Sequence, residues 1–191
     1  MIQTDRMLDA KGLACPMPIV RTRKAMKDML EGQVLEVQST DPGTVADLQA
    51  WAKSAGHHYV GNVQEADVWH HYVRKADNGE LQEKKYPVTI MNEQLADKLR
   101  EPNTVLLDVR EPTEYAFSHI PGALSVPLGQ LEEKAAYFDK NQNIFVICRT
   151  GNRSDMACQT LSEAGFEFVT NVVPGMSGWN GDTENTTGGT K

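Results

Sequence analysis

Up to Ala76 the apolar positions follow the order strand, helix, strand, helix and then a hairpin. Pro16 to Leu30 reads as the first helix, with Ile19, Met26 and Leu30 on one side and Gly32 as its stop. Val34, Leu35 and Val37 favour a strand over Gln33–Ser39, although the alternation is imperfect. Thr44–Ala55 is a second helix, with Val45, Leu48, Ala52 and Ala55 at helical spacing and Gly56 placed at C′. Tyr59–Val63 and Val68–Val73 pair across Gln64-Glu65-Ala66-Asp67. Two helices on one face of a small sheet close such a unit as a two-layer α/β sandwich.

Beyond residue 87 strands and helices alternate. Strands are predicted at Val88–Ile90, Val105–Val109, Ala123–Val126, Ile144–Ile147 and Phe168–Val172. Helical segments include Glu93–Leu99, Leu128–Phe138 and Arg153–Ala164. Val105-Leu106-Leu107 and Ile144-Phe145-Val146-Ile147 are unbroken apolar runs, the mark of strands covered on both faces. That pattern predicts a parallel β-sheet flanked by helices. Between the halves, the polar stretch around Asn78-Gly79 ending in Pro87 reads as a linker. The organisation expected is therefore 1–76 as a first domain, 77–87 as linker, 88–181 as a second domain, and 182–191 as a flexible tail without apolar anchors.

Composition narrows the function classes. Residues 1–76 hold 9 Lys+Arg and 9 Asp+Glu, whereas 77–191 hold 10 and 17, so the net charge of −7 sits in the second part. Such an acidic half argues against direct binding to nucleic acid or anionic membranes. No apolar run approaches a bilayer span and the start lacks a signal peptide, so a cytoplasmic protein is expected. Cysteines stand at 15, 148 and 158, an odd and sparse set that is neither a disulfide framework nor a metal knuckle. Each is then a reduced thiol, either a small core residue or a nucleophile.

Cys148 follows the strand Ile144–Ile147 and precedes a short loop and a helix. In a parallel sheet, ligands bind at the carboxyl ends of strands. Gly151 permits tight backbone curvature, and the free N–H groups and dipole of the next helix favour an anion. Arg149 and Arg153 add charge, so the loop Cys148-Arg149-Thr150-Gly151-Asn152-Arg153 is predicted to favour a thiolate and to hold the outer sulfur of a persulfide. Phosphatase loops are the competing reading, but they place one residue more between cysteine and arginine. A shorter loop closes a smaller cradle, suited to one sulfur atom.

This loop resembles the active-site loop of the rhodanese family. Asp108-Val109-Arg110, Glu114-Tyr115 and His119-Ile120-Pro121-Gly122-Ala123 extend the similarity over about 88–180. The resemblance implies a rhodanese fold, a catalytic Cys148 persulfide, and donors such as thiosulfate or low-molecular-weight persulfides. It also implies that Asp108 and Arg110 brace the site from behind. Two departures stand out: Ser118 replaces a frequent glycine, and Pro174-Gly175 replaces a usual Gly-Gly beside the pocket.

Cys15-Pro16-Met17-Pro18 marks a second site. Proline is favoured at the first helical position, so Pro16 is predicted as N1 and Cys15 as N-cap, facing free N–H groups that favour a thiolate. Cys-Pro-X-Pro after Leu8-Asp9-Ala10-Lys11-Gly12-Leu13 resembles the TusA (SirA-like) family of sulfur carriers over roughly 6–75. That resemblance implies that Cys15 accepts sulfur as a persulfide and hands it on.

Cys158 lies inside a helix and is expected in the core. His57-His58 and His70-His71 suggest a metal set, but neighbours on a strand face opposite ways, and no cofactor or metal is expected beyond the covalent persulfide. Arg21, Arg23, Lys24 and Lys27 form a basic helix surface that suits solvent or an acidic partner protein. The function expected is a sulfurtransferase. Sulfane sulfur would pass from a small donor through Cys148 to a thiol acceptor, with Cys15 of the same chain as one candidate. The other reading is a non-catalytic persulfide relay that docks to sulfur-donating or sulfur-accepting proteins.

Overall fold

The computed structural model describes residues 2–76 and 85–187. The chain divides into two compact units, one of Met1–Asn78 and Asn185–Lys191 and the other of Gly79–Glu184. Most of the linker expected over 77–87 lies outside the described residues, as do positions 188–191 of the expected tail.

The first unit runs β1 (Arg6–Asp9), α1 (Met17–Lys27), β2 (Val34–Ser39), α2 (Thr44–Ser54), β3 (His58–Glu65) and β4 (Val68–Arg74). Its sheet has the order β1-β2-β4-β3, with β1 parallel to β2 and the other pairs antiparallel. Leu35 and Val37 of β2 and Val73 of β4 point to one face. There they pack with Ala25, Met26, Leu48 and Ala52 of the two helices. The α/β sandwich is therefore as the periodicity predicts. The first helix is shorter than expected, with Pro16 as its N-cap. Pro18 takes N2, within the first turn where its missing N–H has no intrahelical role. At the other end Leu30 is 72% exposed, outside the helix and outside the core.

The second unit continues with β5 (Thr89–Met91), α3 (Asn92–Lys98), β6 (Thr104–Asp108), α4 (Pro112–Phe117), β7 (Leu124–Ser125), α5 (Leu131–Ala135), β8 (Asn143–Ile147), α6 (Asn152–Glu163) and β9 (Val169–Val173). The sheet is all parallel, in the order β5-β9-β8-β6-β7. Its central strands are sorted between two cores. Leu107, Ile144 and Val146 pack with Leu131, Ala157, Cys158 and Leu161, while Leu106, Phe145 and Ile147 pack with Leu95 and Val172. Successive residues of a strand face opposite ways, so unbroken apolar runs are what helices on both faces require.

Two expectations need correction here. Leu128–Phe138 is not one helix but a 3-10 turn at Leu128–Gln130 followed by the short α5. Nor are residues 182–184 loose. Glu184 exchanges two backbone hydrogen bonds with His119, at 2.8 and 3.0 Å, and the carbonyl of Asp182 accepts the Trp179 indole N–H at 3.0 Å. Backbone pairing anchors this stretch where apolar side chains are lacking.

Candidate active site

Cys148 stands one residue past β8, at the carboxyl end of the second-unit sheet, where the side-chain alternation turns it toward Val109, Val126 and Ala157. The residue is 1% exposed. Although buried, its sulfur has polar neighbours. The Gly151 N–H donates to Sγ at 3.1 Å, and Ser154 Oγ lies 3.3 Å away. Gly151 is the N-cap of α6 and has φ +89°, in the region that favours glycine. This conformation turns its amide back toward the sulfur and launches the helix.

The opposite side of the loop is clamped. Met176 N–H donates to the Cys148 carbonyl at 2.9 Å, and Ser177 N–H to the Arg149 carbonyl at 2.8 Å. A Cβ on Gly175 would lie 2.4 Å from the Cys148 carbonyl oxygen, so the Pro174-Gly175 pair keeps the glycine that contacts the loop. The Gly175 carbonyl in turn accepts Asn92 Nδ2 at 2.9 Å. A cleft lined by Asn92, Glu93, Ala96, Gly178 and Trp179 lies beside this turn.

Arg153, expected to add charge to the loop, is held by a carboxylate. It is 3% exposed and forks onto Glu114 of α4, Nη1 to Oε2 at 2.7 Å and Nη2 to Oε1 at 3.0 Å. Its cation is neutralised in a buried bidentate pair that fastens the end of the loop to α4. Arg149, Thr150 and Asn152 are half-buried around the loop. Asp108 and Arg110 sit behind it. Asp108 ends β6 opposite Ile147, Arg110 Nε donates to both Asp108 oxygens at 2.9 and 3.0 Å, and Arg110 Nη2 reaches the Ser118 carbonyl at 2.7 Å. Cys158 is wholly buried in the core, and burial pushes its thiol pKa up.

The sequence reading missed Glu114 as a site residue, together with Ser154 and Asn171. Ser154 Oγ is 2.6 Å from Asn171 Oδ1, and Asn171 Nδ2 donates to the Gly151 carbonyl at 3.1 Å. An asparagine among the valines of the strand Val169–Val173 is the signal that could have marked it, because a buried amide needs partners.

At the first site, Cys15 is exposed and lies before Pro16, not at the N-cap position expected for it. A hydrogen bond to the Asp47 carboxylate leads the causes that raise its pKa, followed by desolvation and the charges of Asp47 and Asp41. The expected drop toward thiolate is therefore reversed, because a carboxylate partner favours the protonated thiol. Met17 and Val20 next to it are 43% and 52% exposed, and Arg21, Arg23, Lys24 and Lys27 are all exposed on α1.

The histidines of the hairpin have local partners. His71 is fully buried between Ser39 Oγ and Tyr59 OH, each at 2.9 Å, while His70 Nδ1 meets Glu36 at 2.8 Å. Among the described residues no group of three His, Cys, Asp or Glu side chains could hold a metal ion.

Comparison with known proteins assigns both halves. The model of Sulfurtransferase TusA matches residues 6–75, and that of the Rhodanese-like domain matches 91–182. The putative sulfur carrier protein YrkF of Bacillus subtilis is 45% identical over 185 residues, covering 96% of this chain and 100% of the relative. Sulfur carrier protein TusA of Allochromatium vinosum is 42% identical over 76 residues, 40% of this chain and 100% of its own. Among solved structures, the thiosulfate sulfurtransferase from Pseudomonas aeruginosa is similar with a TM-score of 0.50 at 28% identity, over 59% of this chain and 22% of that one. With a full-length relative at this identity and a cysteine in each matched half, the chain belongs to the sulfur carrier and sulfurtransferase proteins that join a TusA domain to a rhodanese-like domain.

Proposed function

We propose that this protein moves sulfane sulfur inside the cell, taking it from a small donor onto Cys148 as a persulfide and passing it to a thiol acceptor. Thiosulfate and low-molecular-weight persulfides are the donor classes, and Cys15 is an acceptor within the same chain. The observation that carries this reading is Cys148 Sγ at the end of a parallel strand, 3.1 Å from the Gly151 N–H at the start of α6. An amide and a helix N-terminus favour negative charge at that place.

The buried position of Cys148 fits a carrier of sulfur. A persulfide extends the side chain by one S–S bond of about 2.05 Å, which moves the labile sulfur outward while the inner sulfur stays packed. Transfer then occurs by thiol exchange, in which the acceptor sulfur bonds to the outer sulfur and Cys148 leaves as thiolate. Cys15 suits the acceptor role because it is exposed. The Asp47 carboxylate beside it is a ready place for the proton that its thiol must lose. No metal or organic cofactor has a part in these steps.

The test is loading and turnover. Full-length protein is incubated with thiosulfate or glutathione persulfide, and each cysteine peptide is weighed. Wild type is expected to gain the mass of one sulfur atom on Cys148 and to transfer it to cyanide. Cys148→Ser is expected to abolish that transfer. Turnover that survives in Cys148→Ser would remove the rhodanese-like domain as catalyst and leave a relay that only docks to other sulfur-handling proteins.

A further inference from the structure

The Ser154 hydroxyl stands between two acceptors inside the second unit. Its oxygen is 2.6 Å from Asn171 Oδ1 and 3.3 Å from Cys148 Sγ. Both Ser154 and Asn171 are fully buried. A hydroxyl has one proton, so Ser154 donates to one of these acceptors at a time. The Asn171 amide is fixed in direction, because Nδ2 donates to the Gly151 carbonyl, which also accepts the Asp155 N–H at 3.2 Å. Turning the amide over would set two carbonyl oxygens against each other. Its Oδ1 therefore faces Ser154 and, being buried, needs that proton. Ser154 then shows the sulfur a lone pair. A neutral thiol can donate to a lone pair, whereas a bare thiolate is repelled by it.

We infer that Asn171 is a positioning residue of the sulfur site. By holding the Ser154 proton, it makes Cys148 Sγ a poorer seat for negative charge than the outer sulfur of a persulfide. The inference rests on the reading of Cys148 as the sulfur-bearing cysteine. In loading, the Cys148 thiol first releases its proton to solvent. Sγ then bonds to the terminal sulfur of a persulfide donor R–S–SH, the donor S–S bond breaks, and its electron pair leaves as R–S⁻. The product is Cys148–S–SH, and its ionisation places charge on the outer sulfur, about 2 Å beyond Sγ and beyond the Ser154 lone pair. The pair Asn171–Ser154 thus favours the loaded over the empty site, and sulfur stays in place until a thiol is presented.

Alkylation of Cys148 by iodoacetamide, read by peptide mass on the full chain across neutral and alkaline pH, tests this. Asn171→Leu frees the hydroxyl to donate to Sγ. Alkylation at neutral pH is then expected to be about fivefold faster, with its pH midpoint moved down. Adding Ser154→Ala to that chain should remove the gain, because no hydroxyl is then left to donate to Sγ. An unchanged or slower rate in Asn171→Leu overturns the inference. So does a gain that survives Ser154→Ala, since that reports an opened pocket. Far-UV circular dichroism checks each fold, and Asn171→Val, which suits a strand, stands in if the leucine chain does not fold. Sulfur loading of wild-type Cys148 is weighed separately, so failure of the proposed function and failure of this inference give different results.

Discussion

His71 lies between two hydroxyls with no exposed surface, and burial lowers its pKa to about 4 from the ordinary 6.5. Ser39 and Tyr59 satisfy both ring nitrogens of a neutral imidazole, one as donor and one as acceptor. A second ring proton would turn an acceptor nitrogen into a donor and leave a charge in the core. Between about pH 6.5 and 4 the unfolded chain therefore binds a proton that the folded chain refuses. Stability of the first unit is complete above this window and falls as pH falls through it, by about 3 kcal/mol in full. Denaturant titrations across that range should show the loss, and His71→Gln should flatten it while lowering stability near neutrality. An equal slope in His71→Gln would place the acid sensitivity elsewhere. The sequence offered this histidine only as a strand residue or half of a metal pair, because its partners come from β2 and β3 and meet it only through sheet register.

The elements that were legible are those with long or unbroken patterns. The runs at β6 and β8 declared a sheet covered on both faces, and the spacing in α2 declared a helix with Gly56, at φ +75°, just past its C-cap. By contrast, α4 has six residues, too few for a helical period to register. Yet α4 carries Glu114, and the Glu114–Arg153 pair joins it to the loop after Cys148. Loop chemistry read from the sequence placed Arg153 in the sulfur-binding loop, and the fold adds a partner the sequence did not reveal, Glu114, 39 residues away. Glu114→Ala removes the carboxylate onto which the buried Arg153 guanidinium forks and should cost about 3–5 kcal/mol, seen as a drop in Tm. Arg153→Lys keeps a cation but loses the fork, so it too should lower Tm while sulfur still loads on Cys148 in the chain that remains folded. A loss of loading with Tm unchanged would mean that Arg153 acts on the sulfur directly.

At the scale of the whole molecule, the two cysteines have opposite characters that suit the two ends of a transfer. Cys148 is buried against an amide N–H, and Cys15 is exposed beside a carboxylate that favours its protonated form. Two sites joined in one chain meet at an effective concentration of about millimolar when the connection between them is short. If sulfur passes within one chain, labelling of Cys15 after loading of Cys148 should not slow when wild-type protein is diluted. A mixture of Cys15→Ser and Cys148→Ser chains can pass sulfur only between molecules, so its rate should fall in proportion to dilution. At micromolar protein the wild type should lead the mixture by on the order of a hundredfold or more. Equal rates would mean that the domains trade sulfur between chains. Labelling of Cys15 in Cys148→Ser alone, at the wild-type rate, would mean that the carrier half draws from the donor directly and the two domains share a chain without sharing their cargo.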